Sequence, residues 1–497
     1  MAALVAPSDS RAPLAAWTRQ PRYARRPRRD VVRARGGTMT TVLRINEQQI
    51  AELHAALHTG DGCEAVAFAL CGRSAADRDV YLVRSITTLP PEAYLERRRD
   101  RVRWRTDTLP PILDRAAREH LSVMKIHSHP TGWPHFSELD DDSDRSLAES
   151  VATWMTHPTA AYLSGIMFPT AELRARVARP DGSMLPIDAV DVIGDDLRFA
   201  RSETSMGGDF GAAFAQAFGA GTFSLMRQLR VAVVGCSGTG SIVIEQLARN
   251  GVGKLIIIDP DFIEDRNLNR ILNAFEHDAV AKRLKVNVLK QAVEAMGTGT
   301  VVDAIAADVF TPDAVRAITG ADIVFGCVDT IDARHLLNQI ASFYVLPYFD
   351  LGVKLEADGH GGITQVCGSV HYLRPGGGSL LSRGVYTLED VRAAAMRRID
   401  PEHYAEQIER GYIRGAAERR PAVISVNMLI ASLAVNDLLA RLHPYRIDGN
   451  ASYAIQRVSL SHDLFVHESD DDVCAVVGRH LGRGDVVPLL DRPELSE

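Results

Sequence analysis

VAVVGCSGTGSIVIEQLARNGVGKLIIID, residues 231–259, reads as an apolar run, a glycine-rich turn, an amphipathic stretch and a second apolar run. Unbroken aliphatic runs of this length are typical of parallel strands covered by helices on both faces. The order strand (231–235), turn, helix (239–250), strand (255–259) is a β-turn-α-β unit, and ADIVFGCVD (321–329) and YVLPYFDLG (344–352) supply further strands of the same kind. An open parallel sheet is the economical architecture. Within the turn, Gly235, Gly238 and Gly240 let the backbone approach a ligand closely and leave a helix N-terminus facing negative charge. No Walker A lysine pattern occupies this turn. Asp259 follows Gly240 by 19 residues, where a carboxylate can hold a ribose.

Working outward, a helix near 212–228 precedes this unit, residues 374–420 are mixed with a PGGG turn and a charged helical run, and 423–440 is a long apolar helix. On the N-terminal side, the pattern predicts a helix at 46–59, strands at 64–72 and 79–87, and a charged helical segment around 92–119. SVMKIHSHP then forms an apolar strand with polar residues at its end, and a strand at 160–168 and alternating residues to about 193 complete an α+β unit. The expected divisions are an extension 1–38, a first domain 39–198, a polar, Gly-rich linker 199–211, a second domain 212–445 and its C-terminal region 446–497. ESDDD and GRGD near the end read as surface turns.

With 497 residues, 46% hydrophobic and 24% charged, the chain can bury full-sized cores, which excludes a wholly disordered, collagenous or disulfide-stapled protein. Charged residues interrupt every candidate 20-residue apolar segment, so the sequence reads as soluble, with no membrane partner. The formal charge of -7 is unevenly spread. Residues 1–38 hold nine Arg and two Asp, and removing them from totals of 56 basic and 63 acidic leaves 47 and 61, or -14. That extension reads as disordered, or as an overextended gene start, because Met39 immediately precedes TTVLRINEQQ. The acidic body argues against general nucleic-acid binding. Six cysteines at 63, 71, 236, 327, 367 and 474 form no CxxC pair, which fits a reducing cytoplasm and small core residues.

IHSHPTGWPHFSELDDD (126–142) carries the first chemical constellation. Alternation puts His127 and His129 on one face of a strand end, and the loop can return Asp140 to complete a three-ligand zinc site with an open fourth position for water. Glu64 is the expected base. EAVAFALCG, HSHP and SELD together resemble the JAB/MPN metalloprotease family, whose pattern is a distant Glu, HxH, seven residues, Ser, two residues and Asp. The resemblance covers about residues 44–195 and implies Glu64 as general base, His127, His129 and Asp140 as Zn2+ ligands, and Ser137 as a polarising or oxyanion-stabilising hydroxyl. It implies isopeptide or peptide cleavage after ubiquitin-like proteins. Trp133 reads as a lid or packing residue, and His135, Asp141 and Asp142 as solvated loop or helix-start positions. Ser137 is also a natural helix N-cap.

The second constellation is GCSGTG followed by DPDFIEDRNLNR, KRLK and GCVDTIDAR. Over roughly residues 212–445 these segments resemble the ThiF/MoeB/HesA superfamily, which includes the adenylation domain of ubiquitin-activating enzymes. The resemblance implies that Gly235, Gly238, Gly240 and Asp259 position ATP, that Asn267, Arg270 and Lys285 hold its phosphates, and that Asp329 binds Mg2+. Lys282 is the alternative clamp, since KRLK lacks the family's usual preceding glycine. Two roles stay open for Asp261, at the metal or in shaping the turn, and Arg334 and Asn338 organise or pack the site. Ser237 replaces a glycine of the family's loop, and the family's arginine in the preceding helix has no counterpart near Ala213. Where many members carry two CxxC pairs for structural zinc, this chain has SLLS at 379–382 and a single Cys474. Cys367 lies in apolar surroundings that favour burial over thioester chemistry.

The expected fold class is α/β, an N-terminal α+β JAB/MPN-like domain followed by a Rossmann-like ThiF adenylation domain. The implied function is ATP-dependent adenylation of the C-terminal carboxylate of a ubiquitin-like protein or peptide ending in glycine, fused to a zinc peptidase or isopeptidase that trims or deconjugates it. A sulfur carrier or conjugation partner, a homodimer and a cytoplasmic location follow from the same resemblance. Two rivals stay open: a nicotinamide-dependent oxidoreductase and a non-catalytic scaffold binding a ubiquitin-like protein.

Overall fold

Alternation within TVLRIN builds the first layer. Strand β1 (Thr41–Asn46) sends Leu43 and Ile45 to one core and Val42 to another, and period two puts Arg44 on the side of Val42. Asn46 then caps helix α1 (Glu47–Leu57): its side chain accepts the Gln49 N–H at 2.8 Å, and Gln49 Oε1 accepts the Asn46 N–H at 3.3 Å. The structure, a computed structural model, describes residues 40–75, 78–155, 157–201, 210–358, 360, 362–409 and 423–496. The extension 1–38, most of the expected linker 199–211 and the end of the 374–420 run lie outside the described residues. Residues 39–497 form one compact unit.

The N-terminal part continues with β2 (Val66–Ser74), β3 (Asp79–Thr88), β4 (Tyr94–Arg97), β5 (Val102–Trp104), α2 (Pro110–Glu119), β6 (Ser122–Ser128), α3 (Glu138–Trp154), β7 (Tyr162–Met167), β8 (Leu173–Ala178), β9 (Met184–Pro186), β10 (Ala189–Ile193) and β11 (Leu197–Phe199). Nine of these strands make one mixed sheet, ordered β11-β10-β1-β3-β2-β6-β7-β8-β9, while β4 and β5 pair only with each other. Helix α1 covers one face, and α2 and α3 pack on the other around Phe68, Leu113 and Val151. The charged stretch 92–119 is not one helix. Its first half is the antiparallel β4–β5 ribbon, because Val102 and Trp104 alternate with arginines at period two, and Pro110-Pro111 delay the helix to their own first turn.

The C-terminal part comprises α4 (Ala212–Phe218), α5 (Ala220–Met226), β12 (Arg230–Val234), α6 (Gly238–Arg249), β13 (Lys254–Ile258), α7 (Glu276–Val280), α8 (Lys285–Ala295), β14 (Val301–Ile305), α9 (Pro312–Thr319), β15 (Ile323–Gly326), α10 (Ile331–Phe343), β16 (Tyr348–Ala357), β17 (Ile363–Leu373), α11 (Leu388–Ile399), α12 (Pro401–Glu409), α13 (Ile424–Leu442), β18 (Ile455–Ser459) and β19 (Leu464–Glu468). Its eight-stranded sheet runs β14-β13-β12-β15-β16-β17-β18-β19, parallel through β16 and antiparallel beyond. The helix expected at 212–228 breaks at Gly219 (φ +85°) into α4 and α5, and the strand expected from 344 starts only at Tyr348, after α10. Helix α13 is long and apolar enough to cross a membrane by length and composition, yet 61% of its apolar window is buried, and it packs on α6, β16 and β17.

The two parts share a core in which Val42, Val80, Leu82 and Ala189 join the residues around β12 and β15. GRGD is not a surface turn. Gly482 receives a hydrogen bond from the Gly72 N–H (3.1 Å) and donates to Ser342 O (3.0 Å), and Gly484 donates to Phe343 O (3.0 Å), so this segment is laid between β2 and α10. Within ESDDD, Asp470 is paired with Arg383 at 2.6 Å.

Candidate active sites

His127, next to last in β6, pairs with Val66 of β2, and the Ser128 N–H donates to Ala65 O at 3.0 Å, which carries the register on toward Glu64 and His129. The Nε2 atoms of His127 and His129 lie 3.0 Å apart, and Asp140 from the first turn of α3 reaches them at 3.0 and 3.8 Å. His129 Nδ1 is 2.8 Å from the Trp133 carbonyl oxygen, which can only accept, so Nδ1 carries the proton and a neutral His129 keeps its Nε2 lone pair for the cluster. One donor atom from each of the three residues lies within 4.8 Å of the others. This donor set, two imidazoles and a carboxylate, fits zinc.

Electrostatics separate the carboxylates. Burial pushes Glu64 up to about 7, with Asp140 and Asp100 adding to the rise against the pull of His129 and Lys125. Burial also opposes ionisation of Asp140, but the two imidazoles beside it, His127 first, hold it well below the usual carboxylate range. Burial lowers His127, whereas Asp140 and the Trp133 carbonyl outweigh burial and raise His129. Ser137 caps α3: its N–H and Oγ–H both donate to Asp140 Oδ2 at 2.7 Å, and its Oγ accepts the Asp140 N–H at 3.2 Å. The cap therefore aims a cluster carboxylate. Trp133 and His135 are exposed.

Asp144 went unnoticed in the sequence. One turn beyond Asp140 and wholly buried, it meets Lys125, Arg176 Nη2 (2.6 Å) and the Tyr162 hydroxyl (2.9 Å). Arg176 also holds Asp141 at 2.5 Å, so Asp141 is half-buried and paired rather than simply solvated, while Asp142 is exposed. The i, i+4 spacing of Asp140 and Asp144 was the available signal. A cleft of about 320 Å³, lined by Pro130, Gly132, Pro134, Phe168 and Arg174, continues from His129 along the chain.

In the C-terminal part, Gly235 takes φ +93°, and a Cβ there would meet Cys327 O at 2.5 Å; one on Gly240 would meet Gly235 O at 1.8 Å. Asp259, at the end of β13, accepts the Cys236 N–H (2.7 Å) and the Asp261 N–H (2.9 Å). Lys285, the first residue of α8, sits 3.5 Å from Asp259 and 2.6 Å from Asp261. Burial raises Asp259 despite Lys285 and the two amides. Lys282, by contrast, is exposed and left-handed (φ +46°). Asn267 is buried and spends its Oδ1 on the Glu264 N–H at 3.0 Å. Arg270 donates to Arg266 O (2.6 Å) and Asn269 Oδ1 (3.0 Å), and exposed Asp329, just past β15, lies within its electrostatic reach.

Arg334 forms an ion pair with buried Asp350, and Asn338 Oδ1 accepts the Leu380 N–H at 3.0 Å, so both organise the neighbouring core. Asn427 of α13 was missed: a Cβ on Gly238 would lie 2.2 Å from its Nδ2 and 3.3 Å from Arg270 Cδ, which places its amide against the turn. A polar side chain in an otherwise apolar helix was its signal. Ser379 and Ser382 close a turn on each other, Cys474 is buried, and Cys367 is half-buried.

The ThiF family model matches residues 212–462, and the model of prokaryotic homologs of the JAB domain matches residues 46–175. The chain belongs to the ThiF family, carrying its ThiF-family adenylation domain fused to a prokaryotic-type JAB domain with a His-His-Asp cluster. It is similar to "Ubiquitin-like modifier-activating enzyme 5" of Bombyx mori, 30% identical over 165 residues, which cover 31% of this chain and 39% of that protein. The enzyme of that name from Culex quinquefasciatus is 31% identical over 165 residues, with the same coverage. The chain thus spans about two fifths of the length of these relatives. Among solved structures, E. coli MccB with ATP aligns with TM-score 0.41 and 17% identity, covering 54% of this chain and 74% of MccB.

Proposed function

We propose that the chain is a bifunctional enzyme: a Rossmann-like adenylyltransferase that activates the C-terminal carboxylate of a ubiquitin-like protein or peptide, joined to a zinc peptidase or isopeptidase that exposes it. The proposed domains are 39–198 and 212–445, with 199–211 as linker and 446–497 completing the second. The observation that carries the reading is the gathering of His127, His129 and Asp140 around one point, with a desolvated Glu64 on the adjoining strand, in a chain whose other half belongs to the ThiF family.

In the first site, His127, His129 and Asp140 would hold zinc, and Ser137 fixes the Asp140 carboxylate. Zinc bound there supplies a Lewis acid that acidifies water and polarises a carbonyl. Glu64, raised by burial above the usual carboxylate range, can take a proton from the attacking water and return it to the departing amine. In the second site, the substrate carboxylate oxygen attacks the α-phosphorus of ATP and pyrophosphate leaves. Asp259 would hold the ribose, the glycine turn admits the phosphates, and Arg270, Asn267 and Lys285 restrain them as charge moves onto the leaving group. Asp329 would hold magnesium, which would supply further charge neutralisation. Binding ATP requires Lys285 to exchange part of its pairing with Asp259 and Asp261 for phosphate. A lysine poised there suits a triphosphate better than hydride transfer.

The similarity to ubiquitin-like modifier-activating enzyme 5 supports a ubiquitin-like substrate. A cytoplasmic location, a homodimer, and hand-over to a sulfur carrier or conjugation partner belong to the same reading. The deciding experiment is ATP–pyrophosphate exchange with small proteins ending in Gly-Gly, each supplied intact and pre-trimmed. Exchange with trimmed substrate alone, and with intact substrate once zinc is added, is the expected pattern; no exchange with the genuine carboxylate substrate overturns the adenylation half, and failure to retain zinc under replete conditions overturns the peptidase half.

A further inference from the structure

The segment ERRRDRVRWR, residues 96–105, holds six arginines against Glu96 and Asp100, in a body whose charge is otherwise strongly acidic. Folded as the β4–β5 ribbon, it sorts them by face. Val102 and Trp104 turn inward, Trp104 packing edge-on against Phe68 at 6.1 Å, while Arg101, Arg103 and Arg105 are exposed. Alternate residues of a strand stand about 7 Å apart, so Arg103 within β5 and Arg101 and Arg105 at its two ends make a ladder of alternate positions with the repeat of an extended peptide. Arg105 pairs with Asp107 at 2.5 Å and Arg98 with Glu96 at 2.7 Å. Among the described residues, Arg99, Arg101 and Arg103 have no carboxylate partner.

The ribbon is fastened to the first active site. The Glu64 N–H donates to Arg98 O at 2.7 Å, Arg97 Nε donates to Glu64 O at 3.0 Å, and the Tyr94 hydroxyl is 3.1 Å from both Val66 N and Val66 O. Asp100, at the ribbon's tip, is near enough for its charge to act on Glu64. The ribbon that carries the ladder is therefore tied to the segment that carries Glu64. We propose that the arginine ladder of β5 docks an acidic, extended segment of the protein or peptide substrate, one with carboxylates at alternate positions near the scissile bond. A single-stranded nucleic acid is the poorer occupant, because the aromatic ring that could stack a base, Trp104, packs against Phe68 instead.

This inference rests on the peptidase reading, and the test separates the two. Binding is measured on full-length Glu64→Gln protein, which blocks turnover, by fluorescence anisotropy with a labelled (Glu-Ala)4 peptide, its Gln and Lys counterparts, and a thymidine oligonucleotide of equal charge. The (Glu-Ala)4 peptide should bind at least tenfold more tightly than the Gln peptide at low salt, with the gap closing as salt rises. In an Arg101→Glu/Arg103→Glu background the preference should pass to the Lys peptide, which a misfolded protein could not show. Equal binding of the Glu and Gln peptides, no transfer of preference, or tighter binding of the oligonucleotide overturns the proposal. In parallel, wild-type protein is given a neutral Gly-Gly-linked reporter and the same reporter with an acidic extension. Cleavage of both at equal kcat/KM overturns the docking role alone, whereas zinc-dependent cleavage of neither, with charge-selective binding intact, overturns the peptidase reading and with it the assignment of the ladder to that substrate.

Discussion

At Glu64, burial decides the outcome: desolvation raises the carboxyl, Asp140 and Asp100 add to the rise, and His129 and Lys125 only partly restrain it. The proton-transfer role proposed for it makes Glu64→Gln a chemical rather than a structural change, and kcat for peptide cleavage should fall by about 10²–10⁴ with zinc content unaltered; loss of zinc in that variant would assign Glu64 to the ligand set instead. The two lysines of KRLK make a second residue-scale test. Lys285 is buried between Asp259 and Asp261, whereas Lys282 is exposed. Lys285→Met should lower ATP–pyrophosphate exchange by at least about 10²-fold, and Lys282→Met by less than about threefold, since only a restrained cation can stabilise moving phosphate charge. Both residues are legible as candidates in the sequence. Lys285 is the one the sequence prefers, and its burial beside Asp259 at the start of α8 supports that preference.

At the scale of elements, Ser137 and Asp140 were legible because a capping box has a fixed spacing, and the same spacing positions a ligand carboxylate. The stretch 92–119 was misread because charge density resembles a solvated helix, while the inward pair Val102 and Trp104 is too short a run to announce a strand. GRGD was misread for the opposite reason: its composition is that of a turn, yet its glycines are required by close packing. Gly482 has φ +64°, and a Cβ there would lie 2.7 Å from Val83 O. Gly482→Ala should therefore cost about 1–2 kcal/mol for the left-handed backbone alone, with a further cost from the contact. Denaturant titration measures the total, and hydrogen exchange should quicken at the Gly72 amide, which loses its Gly482 acceptor.

Across the whole molecule, the two parts meet over buried charge. Asp322, at the start of β15, accepts from Arg78 (2.7 Å), Arg44 (3.2 Å), Arg201 (3.2 Å) and the Arg230 N–H (2.9 Å), and Asp191 of the first sheet pairs with Arg201 at 2.5 Å. Burial opposes the Asp322 charge, but Arg78, Arg201 and Arg44 outweigh it and pull the carboxyl down to about 2, while burial and Arg78 bring Arg44 down to about 10. A carboxylate depressed on folding contributes stability that is fully present above its unfolded pKa near ~4 and is lost as pH falls through the folded value. Stability should thus fall between about pH 4 and pH 2. Asp322→Asn should cost about 3–5 kcal/mol at neutral pH, because three guanidinium groups lose their shared partner, and should flatten that acid limb; urea titrations across pH measure both.

The sequence by itself determined the chemistry-bearing spacings, the parallel order of β12, β13 and β15, and membership of the two families, since these depend on local periodicity and fixed offsets along the chain. Tertiary structure alone decided that Arg44, a charged residue of β1, is fully buried against Asp322, that Asn427 lies on the glycine turn, and that a C-terminal GRGD segment closes on β2. The physical reason is common to all three. Whether a polar group can be buried depends on the partner that compensates its lost hydration, and each of these partners lies far away in the chain.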